Sequence, residues 1–245
     1  MGFLRLLFAF AIVSNHYSNH QVFDLLYASV AVKGFYIISG FYMALILNND
    51  SYVKNSQFYL SRFFRLYPIY ISCVIITMIF GLGNTTSGTN ILSDNLEIIP
   101  SIFIIFTNLT MIFQDLTMIT GINGNNIEFV QYFTDSKPLP IYNYLYVPQA
   151  WSLGLELSFY LVAPFLLKNI KIEKILFFIV LSLMIRGLLM AKGFKEDPWN
   201  YRFFPSEISL FLAGSISYIF YKKKLFFKDQ DIQKILTFFI ICFVV

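Results

Sequence analysis

Long apolar runs, separated by short polar segments, dominate the sequence. A helix that crosses a bilayer needs about 20 mostly apolar residues. Seven runs approach that length, and each predicts a membrane-spanning helix: Phe3–Tyr17, Ser29–Leu47, Tyr67–Leu82, Gln149–Leu167, Ile175–Ala191, Ser206–Tyr221 and a last run that begins at Ile235. The pattern predicts an all-α fold, a polytopic transmembrane helix bundle without an internal repeat.

The first run allows a second interpretation. Arg5 followed by a short apolar core is also the pattern of a secretory signal peptide. However, no clear cleavage site follows, and polar residues occupy the end of the run. We therefore favour a span and keep the signal peptide as the alternative.

The basic residues predict the orientation of the bundle. Three loops, Asn48–Leu66, Lys168–Lys174 and Lys222–Lys234, hold 11 of the 18 lysines and arginines, and cytoplasmic loops are the ones enriched in such residues. The stretch Gly83–Pro148 holds Lys137 as its one basic residue, against five acidic ones. We predict a cytoplasmic N-terminus and an extracytoplasmic loop region over residues 84–148.

An eighth apolar run, Ile98–Ile119, is interrupted by Pro100 and by polar residues such as Asn108 and Asp115. If this run crossed the membrane, the basic loops after it would move to the outside. Lipid-exposed spans must also satisfy every polar group internally. The run therefore predicts an interfacial or re-entrant segment on the outer face.

Composition agrees with a membrane protein and excludes several other classes. Of the 245 residues, 57% are hydrophobic and 13% are charged, whereas soluble domains carry about 25% charged residues. This excludes a cytosolic globular enzyme, a disordered chain and a fibrous protein. The net charge of +4 fits cytoplasmic loops, so we expect no nucleic-acid partner. Cys73 and Cys242 lie in apolar runs, so neither a disulfide framework nor a metal site is expected.

Ionisable residues inside spans are expensive and usually functional. Arg5 and His16 are eleven residues apart, which places them on one helix face with about 16 Å of rise between them. They could line a path across the membrane, or Arg5 could be a snorkelling anchor and His16 an interfacial histidine. His20 lies near the same face and is interpreted as a loop residue.

Glu156 lies inside the fourth span, where a carboxylate needs a partner or becomes protonated. One hypothesis pairs it with His16, because a carboxylate that accepts from one imidazole nitrogen makes the other a better base. The alternative is a packing role beside Arg186 or a backbone group.

Arg62 and Arg65 stand three residues apart on a short aromatic stretch that ends at Pro68. A helix there, at the inner interface, would place both guanidinium groups on one face, where such a pair can hold phosphates bidentately. The alternative is an ordinary basic signal beside a span.

Four motifs in order resemble the acyltransferase 3 family of integral membrane acyltransferases. They are an Arg-x10-His first helix (Leu4–His16), a second-helix motif (Val32–Phe41) that closes with Ser39-Gly40-Phe41, an Arg-x-x-Arg-Leu-Tyr-Pro element (Arg62–Pro68) and a Trp-Ser-Leu-x-x-Glu element (Trp151–Pro164). Departures are mild: Tyr36 replaces a common phenylalanine and Ser158 a frequent glutamine. The later spans are similar only in hydropathy.

The resemblance implies an O-acyltransferase, usually an O-acetyltransferase, that modifies a hydroxyl of a cell-surface polysaccharide or lipid-linked glycan. It implies acetyl-CoA as co-substrate on the cytoplasmic side, a carbohydrate acceptor, membrane lipid as partner, and the bacterial inner membrane as location. The implied catalytic residues are His16 and Arg5, and our own hypothesis adds Glu156, which would orient or charge-balance His16. Donor contacts would come from Arg62, Arg65 and Tyr67, and substrate contacts from Trp151, Ser39 and Tyr160.

Length separates this chain from the family it resembles. Members are bundles of about ten spans, and the sequence predicts about seven, so we expect a single acyltransferase-like domain over residues 1–245 that is incomplete at its C-terminus. The alternative is a non-catalytic membrane protein, either a transporter of a polysaccharide precursor or an inactive acyltransferase fragment. Transporters commonly carry buried charges, but the inverted repeats that many of them show are not found here.

Overall fold

A computed structural model describes residues 2–17, 27–49, 52, 54–81, 96–132 and 137–222. Some sequence predictions lie outside these residues: the run that begins at Ile235, the loop residue His20, Cys242, and the lysines after Lys222. The described chain is mostly helical, as predicted.

The described residues form eight α-helices and one small antiparallel sheet. The helices are α1 (Gly2–Tyr17), α2 (Ala28–Leu47), α3 (Asn55–Phe80), α4 (Ile98–Thr110), α5 (Gln114–Thr117), α6 (Trp151–Leu167), α7 (Ile172–Ala191) and α8 (Phe204–Lys222). The strands are β1 (Thr120–Asn123), β2 (Asn126–Phe129) and β3 (Leu139–Pro140), and 3-10 turns cover Ile141–Tyr144 and Pro148–Ala150.

Four described helices are long and apolar enough to cross a membrane. They are α2, α3, α6 with the turn before it, and α7, at Ala28–Leu47, Asn55–Phe80, Pro148–Leu167 and Ile172–Ala191. The apolar helices α1 and α4 are shorter. The chain is thus a multi-pass membrane protein, and the full number of spans stays a prediction.

The start of the third helix differs from the sequence prediction. We expected a span from Tyr67, preceded by a short stretch with Arg62 and Arg65 at the inner interface, and the structure has one helix over both. The helix α3 runs unbroken from Asn55 to Phe80 with Pro68 inside it. A proline removes one backbone hydrogen bond and disfavours the helix, but it does not always end one. Here the helix continues, and the Ser72 hydroxyl donates to the Pro68 carbonyl oxygen at 2.8 Å.

The chain divides into two compact units, and the first takes in Met1–Val53, Val162–Leu183 and Ile208–Val245. Among its described residues, α2 and α8 cross in backbone contact. A Cβ on Gly40 would overlap the Phe211 carbonyl, and a Cβ on Gly214 would overlap the Ile37 carbonyl. Ser215 Oγ donates to the Gly40 carbonyl oxygen at 3.1 Å. Small residues at such crossings let membrane helices approach closely.

The same unit packs α1 against α2 through an aromatic side chain. Phe8 of α1 is only 2% exposed, and its ring fills the space that a side chain on Gly34 would need. The Phe8 ring also meets the edge of Phe35 at a centroid distance of 5.7 Å. The first two helices are therefore joined at a glycine, as the second and eighth are.

The second unit takes in Lys54–Leu161 and Met184–Glu207, and it holds the sheet. Strand β1 lies in the centre, with β2 and β3 antiparallel on either side, in the order β2-β1-β3. Asn123 faces Asn126 across a two-residue loop in which Gly124 has a φ of 59°, a conformation that favours glycine. The sequence pattern predicted only a loop in this region.

A buried polar network joins α3, α4 and α5 in this unit. Gln114 Nε2 donates to Tyr70 Oη at 2.7 Å, and Tyr70 Oη donates to the Asn108 carbonyl oxygen at 2.7 Å. The Asn108 side chain donates to the Tyr144 carbonyl oxygen at 3.0 Å and accepts from the Tyr146 amide at 2.9 Å. The Asn108 side chain and the Gln114 amide nitrogen are thus satisfied by protein groups, as most buried polar atoms are.

A buried ion pair links α7 to the start of α8. Arg186 Nη2 lies 2.6 Å from Glu207 Oε1, and the Glu207 side chain is fully buried. The same guanidinium donates to the Ser206 carbonyl oxygen at 2.9 Å. Arg186 was predicted as an alternative partner of Glu156, and the structure gives Arg186 a different carboxylate.

Candidate active site

A cavity of about 110 Å³ lies within the second unit. Two helices and one turn form its walls: Tyr59, Arg62 and Phe63 from α3, Leu157, Tyr160 and Leu161 from α6, and Ile112 from the turn between α4 and α5. Most of these side chains are apolar or aromatic. The surface that these side chains present to the cavity is almost entirely apolar, so the cavity suits an apolar group.

Helical periodicity explains why these side chains share one space. The three positions on α3 are related as i, i+3 and i+4, and so are the three on α6, a spacing that puts side chains on one face of a helix. Tyr59 Oη donates to the Leu161 carbonyl oxygen at 3.0 Å and so joins the two helices beside the cavity.

The turn from α4 to α5 supplies the remaining wall. Met111 and Phe113 both have left-handed backbones, with φ values of 62° and 63°, and Ile112 stands between them. This reversal brings the chain back towards the sheet after the 13 residues of α4. As a result, a residue from a segment between two spans lines the same cavity as Arg62 and Tyr160.

Glu156 and Tyr160, both predicted site residues, contact each other on α6. They are one helical turn apart, and Tyr160 Oη donates to Glu156 Oε1. Tyr160 is 4% exposed, so this hydroxyl is withdrawn from solvent. The tyrosine is thus a partner of the Glu156 carboxylate that the sequence analysis did not propose.

The two arginines of the third motif are in different surroundings. Arg62 is 7% exposed and lines the cavity, whereas Arg65 is exposed. Both guanidinium groups lie within electrostatic reach of Tyr160. Tyr67 stacks on Phe63, with ring centroids 4.4 Å apart, and so supports a wall of the cavity from one turn away. The arrangement places fixed positive charge beside an apolar space.

Arg5 and His16 lie in the first unit, on the single helix that the spacing predicted. The Arg5 guanidinium lies over the Tyr42 ring at 4.7 Å from its centroid, a cation–π contact between α1 and α2. His16 lies exposed in the last turn of α1. Since Glu156 belongs to the second unit, the predicted pairing of His16 with Glu156 stays a prediction.

Ser39, a predicted substrate contact, is 5% exposed and directly precedes Gly40 at the crossing of α2 with α8. The Ser-Gly pair of the second motif therefore has a packing role in the first unit. Whether Ser39 also contacts substrate stays a prediction.

Trp151, at the start of α6, belongs to a cluster that the sequence analysis missed. The Arg202 guanidinium lies 4.5 Å from the centre of the Trp151 ring and binds both carboxylate oxygens of Asp197, at 2.7 and 2.9 Å. Tyr201 meets the edge of Trp151 at 5.0 Å. Burial raises the pKa of Tyr201 to about 12, so its hydroxyl stays protonated at neutral pH. The closely spaced Asp197, Tyr201 and Arg202 were the only sequence signal.

A comparison of the whole chain with models of protein families identifies its family. An acyltransferase domain model, that of the acyltransferase 3 family, matches residues 1–245. The chain belongs to the acyltransferase 3 family. The resemblance drawn from the four motifs is confirmed, and the protein is a membrane acyltransferase. No curated protein and no solved structure matches the chain.

The motifs of this acyltransferase are distributed over both units. Its third and fourth motifs meet at the cavity through Arg62 and Tyr160, and Tyr160 contacts Glu156. Within the described ranges, no group of three or more histidine, cysteine, aspartate or glutamate side chains is placed to hold a metal ion.

Proposed function

We propose that this protein transfers an acyl group, in the first place acetyl, from a CoA thioester to a hydroxyl of a cell-surface polysaccharide or lipid-linked glycan. The observation that carries the proposal is the buried Arg62 beside the Tyr160–Glu156 pair at an apolar cavity. A thioester donor combines anionic phosphates with a short apolar acyl group, and this site offers a partner for each.

The donor would meet the protein at the two arginines. Arg65 is exposed and free to attract phosphates, while the buried Arg62 can hold an oxyanion where water is scarce. Arginine presents several donors in a planar fork, which matches the geometry of phosphate oxygens. The positive-inside rule places this end of α3 at the cytoplasm, where CoA thioesters occur.

His16 is the proposed general base. Its imidazole would take the proton of the acceptor hydroxyl while that oxygen attacks the thioester carbonyl carbon. A C–O bond forms, the C–S bond breaks, and the CoA thiolate leaves and takes up a proton. In the second version of this mechanism, the imidazole first accepts the acyl group and then passes it to the hydroxyl.

The proposed topology puts the N-terminus in the cytoplasm of a bacterium and the α4–α5 segment on the outer side as a re-entrant element. At 1.5 Å per residue, the 13 residues of α4 reach about 20 Å, which is short of the roughly 30 Å hydrocarbon core. The polar network through Asn108 and Gln114 supports this proposal, because irregular backbone is tolerated at membrane depth where protein surrounds it.

Labelled transfer in membranes tests the proposal. Membranes containing the full chain are incubated with acetyl-CoA labelled in the acetyl group, and covalent label is measured in the glycan fraction. We expect His16→Ala to remove the label at matched expression. Val13→Ala, an exposed position nearly one turn earlier on α1, is the matched control and should keep it.

Two outcomes would count against the proposed function. Full labelling with His16→Ala would remove the catalytic role of the histidine. Uptake of a glycan precursor without covalent change would favour a transporter instead.

A further inference from the structure

We propose that Tyr42 is a positioning residue for Arg5: its ring holds the Arg5 guanidinium so that the N–H groups meet a phosphate of the CoA donor. This inference rests on the proposed function, since it names how the anionic part of that donor is recognised. Tyr42 lies outside all four motifs, because the second motif ends at Phe41.

Arg5 and Tyr42 meet at one end of the pair formed by the first two helices. Arg5 lies near the start of α1, Tyr42 lies near the end of α2, and the guanidinium carbon is 4.7 Å from the centroid of the Tyr42 ring. The proposed topology puts the start of α1 and the end of α2 at the cytoplasmic face. CoA thioesters reach the protein from that side.

The Arg5 guanidinium has no polar partner in the part of the chain that the structure describes. Its Nε is buried without a hydrogen-bond acceptor, and no carboxylate of the described residues forms an ion pair with it. A cation and its N–H donors are costly to hold in a membrane helix without an acceptor. A phosphate oxygen of a bound donor supplies both the acceptor and the negative charge.

The Tyr42 ring fixes the guanidinium without using its hydrogen-bonding capacity. An aromatic ring attracts a cation through its π face, whereas a guanidinium donates its N–H groups in its own plane. The donors therefore stay available, and the long side chain is already ordered before the ligand binds. Both side chains are half-buried, and a cation–π contact gains strength as water is withdrawn from it.

Steady-state kinetics of the full-length protein in membranes test the role of Tyr42. The rate of labelled acetyl transfer is measured against the acetyl-CoA concentration, which gives KM and kcat for each variant. Tyr42→Leu should raise KM about fivefold to tenfold and change kcat little, because the phosphate is bound equally in the ground state and the transition state. Tyr42→Phe keeps the ring face and should keep KM within about twofold of the wild-type value.

A double-mutant cycle separates positioning from packing. Arg5→Gln should raise KM at least as much as Tyr42→Leu does, and adding Tyr42→Leu to Arg5→Gln should raise it no further. A merely structural role of the ring would lower the melting temperature in both backgrounds and leave KM unchanged.

Phe35→Leu is the matched control for the loss of a ring. Phe35 is half-buried on α2 and contacts Phe8 of α1, so the variant loses an aromatic contact between the same two helices. It should keep the wild-type KM. If Tyr42→Leu does not fold, Tyr42→Met takes its place, because methionine fills a similar length without a π face.

The results separate the positioning role from the proposed function. If the wild type transfers no label from acetyl-CoA, the proposed function is wrong and the inference falls with it. If it transfers label but Tyr42→Leu or Arg5→Gln keeps the wild-type KM, the inference is wrong and the proposed function stands. If these variants keep that KM and instead lose a copurifying anionic phospholipid, Arg5 binds a lipid phosphate and the inference is again wrong. An equal increase in KM from Tyr42→Leu with and without Arg5 would also overturn it.

Discussion

The two units of this acyltransferase are stabilised by different kinds of contact. In the first unit, α2 and α8 meet backbone to backbone at Gly40 and Gly214. In the second unit, polar side chains are buried among the helices, as in the Tyr70–Gln114 hydrogen bond and the Arg186–Glu207 ion pair. The helix crossing in the first unit therefore depends on the absence of side chains, whereas the helices of the second unit are joined through buried polar side chains.

The difference teaches which helix contacts among the described residues leave room for a ligand. A helix crossing with no room for a Cβ leaves no space for a ligand. A region with buried polar groups and a cavity of about 110 Å³ has both space and charge. The second unit is accordingly where Arg62, Glu156 and Tyr160 converge.

Gly40→Val should have the largest effect, because the new side chain would overlap the Phe211 carbonyl on α8 and a backbone cannot move aside as a flexible side chain can. We expect loss of most folded protein, measured as the monodisperse fraction in size-exclusion chromatography. Gly187→Val is the matched control, since a Cβ there meets open space. Equal yields of the two variants would contradict the close crossing.

Glu207→Gln should follow, because it leaves the Arg186 guanidinium without its buried carboxylate. Removing one partner of a buried pair destabilises a protein by about 3–5 kcal/mol. The measurement is the melting temperature of the purified protein. Glu173→Gln, in the first turn of α7, is the control and should change it little. A melting temperature equal to that of the control would show that the Arg186–Glu207 ion pair does not stabilise the protein.

Asp115→Asn should change the pH dependence of stability. Burial raises the pKa of this carboxyl from 3.8 to about 7. The folded state therefore keeps a proton that the unfolded state has released, so stability falls as pH rises from about 4 to 7. Between pH 5 and pH 7 the loss is about 2 kcal/mol.

Asparagine does not titrate, so this variant should show a flatter melting temperature between pH 5 and pH 7 than the wild type. Glu128→Gln, at an exposed position on β2, is the control and should keep the wild-type slope. An unchanged slope in Asp115→Asn would show that the carboxyl titrates normally.

Asn108→Ala should have the smallest effect of the four. It removes the hydrogen bonds to Tyr144 and Tyr146 and leaves their backbone groups buried without that partner. Such losses destabilise by about 1–3 kcal/mol, seen again as a lower melting temperature. Asn123→Ala, at the exposed end of β1, is the control and should leave the melting temperature nearly unchanged. If it lowered the melting temperature as much as Asn108→Ala does, the predicted difference between buried and exposed amides would be wrong.

Most helices could be predicted from the sequence because an apolar run reports burial in lipid or protein directly. The start of α3 could not be predicted, because Arg62, Arg65 and Pro68 form a pattern that is typical of a helix boundary. The strands β1 to β3 are only two to four residues long and carry too little periodicity to predict.

Only those residues of the candidate site that belong to sequence motifs could be predicted. Arg62, Glu156 and Tyr160 belong to motifs, and the structure brings them together. Ile112 has no such signal, because its place in the cavity depends on the turn after α4. Glu207 lies in an apolar run, and its charge could have been noticed, but its partner Arg186 is distant in sequence.

The paired glycines of α2 and α8 also restrict how this sequence can diverge. Each of these glycines lies against a backbone carbonyl oxygen of the other helix. A methyl group added at Gly40 or Gly214 would therefore fit only if the two helix backbones first moved apart. No single substitution on the facing helix can make that room, since the obstructing atoms are not side-chain atoms. Two successive substitutions, one on each helix, would pass through a destabilised protein whichever came first. We therefore expect Gly40 and Gly214 to be retained long after the lipid-facing residues around them have changed.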